Sequence, residues 1–298
     1  MEMFNSCILC PRNCGVDRTT TLGVCQVSNR VKIARAALHF WEEPCISGTK
    51  GSGAVFFSGC SLHCVFCQNE KISHGQVGKE VTIDELAEIY LALQNQGANN
   101  INLVTGTHYI PQIVESVKIA KANGLEIPII YNTSGYEKAE SLKQLEGIVN
   151  TYLPDFKYMD SSLAAKYSHA ADYPEVVKED IAEMVRQCGT PVFDDNGFIQ
   201  SGVIVRQLLL PGHVKDAKAI IKYLYETYSD NIYISMMSQY TPMPQIAANY
   251  PELNRRVTKR EYDSLINYAI DLGVENAFIQ DRAVAKESFI PEFNNFLD

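Results

Sequence analysis

Three cysteines lie close together in one short segment, Cys60-Ser-Leu-His-Cys64-Val-Phe-Cys67. A cubane iron–sulfur cluster has four irons and is usually held by four thiolates. Three thiolates leave one iron open to bind a substrate group, and spacings of three and two residues let one loop wrap one cluster. The alternatives are a zinc site with His63 as fourth ligand and unligated core cysteines. Because zinc sites favour two separated ligand pairs, the segment predicts an iron–sulfur cluster.

Four more cysteines precede this segment within nineteen residues, at Cys7, Cys10, Cys14 and Cys25. Turn-forming residues separate them, and this density predicts a second metal site. Zinc and a second iron–sulfur cluster are both compatible with the spacing. Zinc would act as a structural clamp, whereas a cluster could relay electrons.

Composition limits the partners. The chain has 298 residues and a formal net charge of -9, with no block of Lys and Arg, which argues against a nucleic-acid partner. The N-terminus lacks the basic and apolar regions of a signal peptide, and no stretch approaches the roughly 18 apolar residues of a membrane helix. We therefore expect a cytoplasmic protein with no membrane partner. In that reducing compartment, clustered cysteines favour metal ligation over disulfides.

From residue 54 onward, short continuous apolar runs alternate about six times with helical patterns. Continuous apolar strands are typical of a parallel sheet covered by helices. The predicted fold class is α/β, a partial (β/α)6 TIM-like barrel over residues 51–298, preceded by a small Cys-rich metal-binding segment over 1–50. Reactive groups in such barrels lie at the carboxyl ends of the strands, and the loop at 60–67 follows the first strand. The predicted strands are 54–60, 100–104, 127–132, 152–159, 203–210 and 232–237, with a short last one at 276–280.

Charged residues interrupt two of these strands. Asp155 and Lys157 fall within 152–159, and Arg206 falls within 203–210. Such residues are costly to bury unless they are paired or functional. Strand alternation puts Asp155 and Lys157 on the same face, where they could form an ion pair. A purely structural pair is the alternative to a role in a site.

The spacing C-x3-C-x2-C after the first strand resembles the radical S-adenosylmethionine (SAM) superfamily. Phe66 and the following Gln68-Asn69 are similar to the pyruvate formate-lyase activating enzyme group, and the resemblance covers about residues 54–280. It implies that the cysteines of 60–67 hold a [4Fe-4S] cluster whose open iron binds the amino and carboxylate groups of SAM. One-electron cleavage of SAM would then yield a 5′-deoxyadenosyl radical that abstracts a hydrogen atom.

The same resemblance implies which residues surround SAM. The stretch from Thr105 to His108 matches a Gly-Gly-Glu-like motif that holds the methionine amino group, although the acidic residue is absent here. Two further strand ends, at 132–135 and 155–157, match segments around SAM, and Arg206 would lie near its carboxylate or ribose. The implied SAM site comprises Phe66, Thr105, Gly106, Thr107, Asn132, Thr133, Asp155, Lys157 and Arg206.

The target implied by the resemblance is a glycyl radical enzyme, on which the protein would create a radical at one glycine, with an electron donor such as flavodoxin or ferredoxin. A peptide or a small molecule is the alternative target. A third hypothesis is a non-catalytic iron–sulfur or zinc protein, which the missing acidic residue favours. Charges placed inside apolar strands argue against it, because a scaffold has no need to bury them.

Overall fold

The computed structural model of the chain describes residues 4–280. Its strands, in chain order, are β1 (Val31–His39), β2 (Ser52–Phe57), β3 (Lys79–Val81), β4 (Ile101–Val104), β5 (Ile129–Thr133), β6 (Thr151–Pro154), β7 (Val192–Phe193), β8 (Ile199–Leu208), β9 (Tyr233–Met237) and β10 (Ala277–Ile279). They form one sheet in the order β10-β9-β8-β6-β5-β4-β2-β1-β3, and β7 pairs with β8 at its side.

The strands from β2 to β10 that carry the barrel run parallel, whereas β1, β3 and β7 pair antiparallel with their neighbours. Every residue of β2 is buried, which explains why this strand is an apolar run without polar alternation. β10 and β3 lie at the two ends of the strand order, so the sheet is open. The predicted α/β class and partial barrel are therefore confirmed.

The helices that cover this sheet are α1 (Pro44–Ser47), α2 (Glu70–Ser73), α3 (Ile83–Asn95), α4 (Ile110–Ala122), α5 (Ala139–Leu142), α6 (Ser161–Ser168), α7 (Tyr173–Cys188), α8 (Val214–Tyr228) and α9 (Lys259–Leu272). Helix α3 begins at a reciprocal capping box between Thr82 and Glu85. Within residues 4–280, none of the helices combines the length and the apolar character that crossing a bilayer requires.

The strand predicted at 152–159 is shorter than expected, because β6 ends at Pro154. Asp155 still forms one parallel bridge with Arg206 of β8. The amide of Lys157 instead donates to the hydroxyl of Tyr173, at 3.0 Å, so a side chain takes the place of the next strand. The two charged residues therefore lie just past the strand, at its carboxyl end.

Residues 4–30 form a succession of turns without an α-helix or a β-strand. The chain then enters β1, which pairs with β2 over most of its length. The Cys-rich segment is thus joined directly to the strand that precedes the loop at 60–67. This connection places the two groups of cysteines side by side.

Candidate active site

A cavity of about 300 Å³ opens at the carboxyl ends of the parallel strands. Side chains from the cysteine loop and from the ends of β4, β5, β6 and β8 meet on its wall. The predicted site residues that line it are Cys60, Phe66, Cys64, Cys67, Thr105, Asn132, Thr133, Asp155, Lys157 and Arg206.

The cysteine loop follows β2 and offers three half-buried thiols to this cavity. The hydroxyl of Ser168 donates to Cys64 Sγ at 2.9 Å, and the amide of Leu62 donates to Cys60 Sγ at 3.4 Å. Hydrogen bonds to sulfur are among the features that tune iron–sulfur clusters. Burial raises the pKa of the Cys67 thiol to about 12, so binding a metal there must displace its proton.

His63 is held by the N-terminal segment. Its Nε2 donates to the carbonyl of Val24 at 2.9 Å, and its ring lies 4.7 Å from the ring of His74, centroid to centroid, with the two planes tilted by 39°. It does not belong to the cavity wall that the three cysteines share.

Arg206, which lines the same cavity as the thiols, is the centre of a polar network. Its guanidinium donates to Asp155 Oδ1 at 2.9 Å, to Asn132 Oδ1 at 2.6 Å and to Glu42 Oε2 at 3.3 Å. Lys157 Nζ lies 2.5 Å from Asp155 Oδ2, so the ion pair expected from strand alternation forms. The charged side chains of Arg206, Asp155 and Lys157 are only 15 to 18 % exposed. These groups are therefore fixed by one another before any ligand enters.

Burial and charge act in opposite directions on the two carboxylates of this network. Burial would raise the pKa of Asp155, but Arg206 and Lys157 outweigh it and hold that pKa below its ordinary value. Burial raises the pKa of Glu42, and Arg206 offsets only part of the effect. Asp155 thus carries a firm negative charge, whereas Glu42 takes up a proton more readily.

A family model described as "Radical SAM superfamily" matches residues 54–224, which is more than half of the chain. The chain belongs to the radical SAM superfamily. Among curated proteins, "Uncharacterized protein MJ0674" of Methanocaldococcus jannaschii is 27% identical over 275 residues, covering 90% of this chain and 75% of that protein.

Two solved structures extend this comparison. Streptococcus suis SuiB bound to S-adenosylmethionine has a TM-score of 0.50 and 11% identity, and the match covers 74% of this chain. The match spans 48% of SuiB, so this chain corresponds to about half of that protein. A domain of pyruvate-formate lyase-activating enzyme from Bacteroides vulgatus ATCC 8482 has a TM-score of 0.42 and 15% identity, covering 58% of this chain and 92% of that domain. At such identities, the match to SuiB supports the radical SAM fold alone.

Radical SAM proteins use a [4Fe-4S] cluster and SAM, and the cavity offers donors that fit both. Three thiols line it, with hydrogen-bond donors already directed at two of the sulfurs. In the same cavity, Lys157 and Arg206 can bind a carboxylate, and Asp155 can bind an ammonium or a hydroxyl group. The residues present therefore suit a thiolate-bound cluster beside a zwitterionic ligand.

Glu42 is a residue of the cavity that sequence reasoning missed. It lies between β1 and α1, and its Oε1 accepts hydrogen bonds from Asn102 at 3.2 Å and from Asn132 at 3.3 Å. No periodic pattern marks it; the only signal in the sequence is a pair of acidic residues between Trp41 and Pro44. The cavity thus has an acidic side chain even though the stretch after β4 lacks one.

Gly106 and Thr107, which the resemblance places near SAM, lie behind the cavity wall. The hydroxyl of Thr107 donates to Glu137 Oε1 at 2.6 Å, and Thr133 donates to the same oxygen. Burial raises the pKa of Glu137 to about 7. A methyl group at Gly106 would lie 2.5 Å from Ile113 Cδ1, so this glycine lets α4 pack closely against the strand end.

The N-terminal cysteines also gather in one place. A methyl group built at Gly23 would lie 3.1 Å from Cys25 Sγ and 3.7 Å from Cys14 Sγ. Cys14 Sγ is 3.9 Å from the carbonyl oxygen of Cys7. Burial raises the pKa of Cys10 to about 12, and the neighbouring Cys25 and Cys7 add to this effect.

Across residues 4–280, no three Cys, His, Asp or Glu side chains are arranged around one point as ligands of a single metal ion. Thiolates on one zinc ion lie within about 3.8 Å of each other, since each Zn–S bond is about 2.3 Å and the geometry is tetrahedral. Thiolates on a cubane cluster bind separate irons and stand farther apart.

Proposed function

We propose that this radical SAM protein holds a [4Fe-4S] cluster on Cys60, Cys64 and Cys67 and cleaves SAM to a 5′-deoxyadenosyl radical for hydrogen abstraction. The observation that carries this proposal is the single cavity shared by three thiols and by the network around Arg206. The cluster would supply the electron for reductive cleavage of the sulfonium.

The residues of the chain would bind and orient SAM. Lys157 and Arg206 would donate to its carboxylate, and Asp155 would accept from its amino group or its ribose hydroxyls. Phe66, whose ring meets Tyr240 edge-on at 6.0 Å, would form an apolar wall for the adenosyl part. Because Lys157, Arg206 and Asp155 are already hydrogen-bonded to one another, these three side chains need little reorganisation when SAM binds.

We propose that the target is a protein, with a glycyl radical enzyme as the first candidate and a peptide as the second. Small-molecule sites usually occupy about 300 to 1,000 Å³. This cavity lies at the lower limit, about 300 Å³, and SAM alone would occupy most of it. A glycine-bearing loop could reach the cavity from its mouth. The motif at 66–69 supports the first candidate through its resemblance to the pyruvate formate-lyase activating enzyme group.

The proposal includes a protein reductant such as flavodoxin or ferredoxin, since the cleavage of SAM requires one electron per event. It also includes a second metal centre on Cys7, Cys10, Cys14 and Cys25. The approach of Cys14 and Cys25 to one point beside Gly23, and of Cys14 Sγ to the carbonyl of Cys7, supports it. An iron–sulfur cluster is the first candidate, because no three of the described side chains surround one point as zinc ligands would, and zinc is the second.

The test is SAM cleavage by protein purified without oxygen, reconstituted with iron and sulfide, and reduced with dithionite. We expect 5′-deoxyadenosine, measured by chromatography, and its loss in Cys64→Ala. Cys188→Ala is the matched control, because this half-buried cysteine lies at the end of α7, outside the cavity. An intact cluster that yields no 5′-deoxyadenosine, with or without an added glycyl radical enzyme, would refute the proposal.

The target is tested by adding a glycyl radical enzyme to the reduced protein and SAM. Electron paramagnetic resonance (EPR) should then detect a glycyl radical that disappears when the acceptor glycine is replaced by alanine. Formation of 5′-deoxyadenosine without any radical on the added enzyme would exclude that target and leave the peptide candidate.

A further inference from the structure

Arg18 is a fully buried arginine in the N-terminal segment. One of its terminal nitrogens donates to the carbonyl of His108 at 2.7 Å, and the other donates to the carbonyl of Ser28. Its guanidinium lies over the rings of Phe4, at 5.3 Å, and Tyr109, at 5.6 Å. Its Nε has no hydrogen-bond partner, and no carboxylate of residues 4–280 pairs with it.

A buried charge without a counter-charge costs several kcal/mol, so the structure should contain an anion near Arg18. Among residues 4–280, the nearest groups that can become anionic are the thiols of the N-terminal cysteines. Cys7 Sγ lies 3.8 Å from Nη1 of Arg18. A methyl group built at Gly23 would lie 3.5 Å from Arg18 Cδ and 3.1 Å from Cys25 Sγ, so both side chains approach the same point. Neutral thiols cannot compensate the charge, whereas thiolates bound to a metal can. Four thiolates leave a net charge of about −2 on either zinc or a [4Fe-4S] cluster in its 2+ state.

This centre is adjacent to the loop at 60–67. The amide of Cys60 donates to the carbonyl of Cys25 at 3.2 Å. A methyl group at Gly59 would lie 2.6 Å from that same carbonyl oxygen, so the two segments are in close contact. His63 is tied to the residue before Cys25 by its bond to Val24.

Arg12 adds a second connection. Its Nε donates to the carbonyl of Ser61 at 2.7 Å, and another nitrogen donates to the carbonyl of Ser168 at 3.0 Å. Ser168 is also the residue whose hydroxyl bonds Cys64 Sγ. Residues 4–30 have no α-helix or β-strand to fix these contacts, and short segments of this kind are commonly ordered by a metal.

We propose that Cys7, Cys10, Cys14 and Cys25 bind an anionic metal–thiolate centre, that Arg18 is its buried counter-charge, and that this centre holds the loop at 60–67 in place. The last part rests on the proposed function, since it concerns the cluster on that loop. Arg18 is a positioning residue, because it acts through the centre and does not reach the cavity.

The first test measures metal in a protein that cannot hold the cluster of the loop. We would purify the triple variant Cys60→Ala/Cys64→Ala/Cys67→Ala without oxygen and measure zinc, iron and acid-labile sulfide. The proposal expects about one centre per chain, either zinc alone or iron with matching sulfide. Background levels of all three would overturn it. Because this variant lacks the catalytic cysteines, its metal content is independent of whether the wild type cleaves SAM.

The second test examines the link between the two cysteine groups. In Cys10→Ala/Cys14→Ala, the thiols of the loop are unchanged. We expect at least a twofold fall in the iron bound by the loop and in the change that SAM causes in its EPR spectrum. Full retention of both would overturn the role in holding the loop, while metal in the triple variant would still establish the centre itself.

The third test removes the counter-charge. Arg18→Met should release metal to a chelator at least tenfold faster than wild type. Its metal-free form should have a melting temperature no lower than that of metal-free wild type, because the variant no longer buries an uncompensated charge. Arg30→Met is the control, since Arg30 makes a surface ion pair with Glu80 at 3.3 Å and is exposed. If Arg18 were merely structural, its loss would lower the melting temperature of both forms and leave metal release unchanged, which would overturn the assignment.

Discussion

Arg206 compensates the charge of several buried carboxylates at once, so replacing it should lower the free energy of unfolding. The cavity region contains the carboxylates of Glu42, Glu43 and Asp155, and the cations of Arg206 and Lys157. In Arg206→Met, Lys157 is the one of these two cations that remains, and Glu42 loses the only ion pair that it makes within residues 4–280. Breaking a buried ion pair by removing one partner costs about 3–5 kcal/mol. Protonation of Glu42 limits this cost, so we expect Arg206→Met to lower the free energy of unfolding by about 3 kcal/mol at pH 7.5.

The assay is urea unfolding under argon of wild type, Arg206→Met, Glu42→Gln and the double variant. Because the two side chains are in contact at 3.3 Å, the double variant should be more stable than additivity predicts, by at least about 1 kcal/mol. The deficit of Arg206→Met should also shrink at pH 5, where the stranded carboxylates take up protons. A deficit below about 0.5 kcal/mol, or one of equal size at both pH values, would refute this account of the network.

Three further outcomes are expected. The pKa of Glu137 is about 7 in the folded state, and its ordinary value is 4.5. Between these two values the folded state keeps a proton that the unfolded chain releases. The free energy of unfolding should therefore fall by up to about 3 kcal/mol as pH rises from about 4.5 to about 7. Urea titrations across that range should show a smaller decline in Glu137→Gln, and an unchanged decline would contradict the burial argument. Thr82→Ala breaks the capping box of α3 and should cost about 1 kcal/mol in thermal melts, whereas the exposed Thr227→Ala should change stability by less than about 0.5 kcal/mol. Gly59→Ala should lower the iron bound by the loop at 60–67, because its methyl group meets the carbonyl of Cys25. Gly97→Ala is the control, since Gly97 has a similar positive φ (+91° against +94° at Gly59) but open space around it. Equal iron contents in the two variants would show that the contact with Cys25 is unimportant.

Several features of this protein are encoded locally and could be predicted from the sequence. The loop at 60–67 carries its three cysteines within eight residues, so no tertiary information is needed to recognise it. Continuous apolar strands and helical periodicity indicate the parallel sheet, and Thr82 with Glu85 marks the start of α3. The pairing of Asp155 with Lys157 is also expected from their separation of two residues, and it forms although both residues lie just past the end of β6.

Other features depend on contacts between distant parts of the chain, and no local pattern encodes them. Glu42 reaches Arg206 across 164 residues, and Arg206 reaches Asn132 across 74, because the order of the strands brings these residues together. Thr107 belongs to the stretch 105–108 that resembles the motif holding the methionine amino group, yet its hydroxyl donates to Glu137, 30 residues away, behind the cavity wall.

The sequence by itself therefore determined the parallel strands of the barrel, the cysteine groups and the superfamily, since each depends on spacing along the chain, whereas it did not predict the antiparallel pairing of β1, β3 and β7. The tertiary structure decided which charges share a cavity, that Glu42 supplies an acid there, and that Arg18 lies buried beside the N-terminal thiols. The physical reason is that propensity and periodicity act over a few residues, whereas burial and charge pairing are set by the register of strands and by the segments that cross between them.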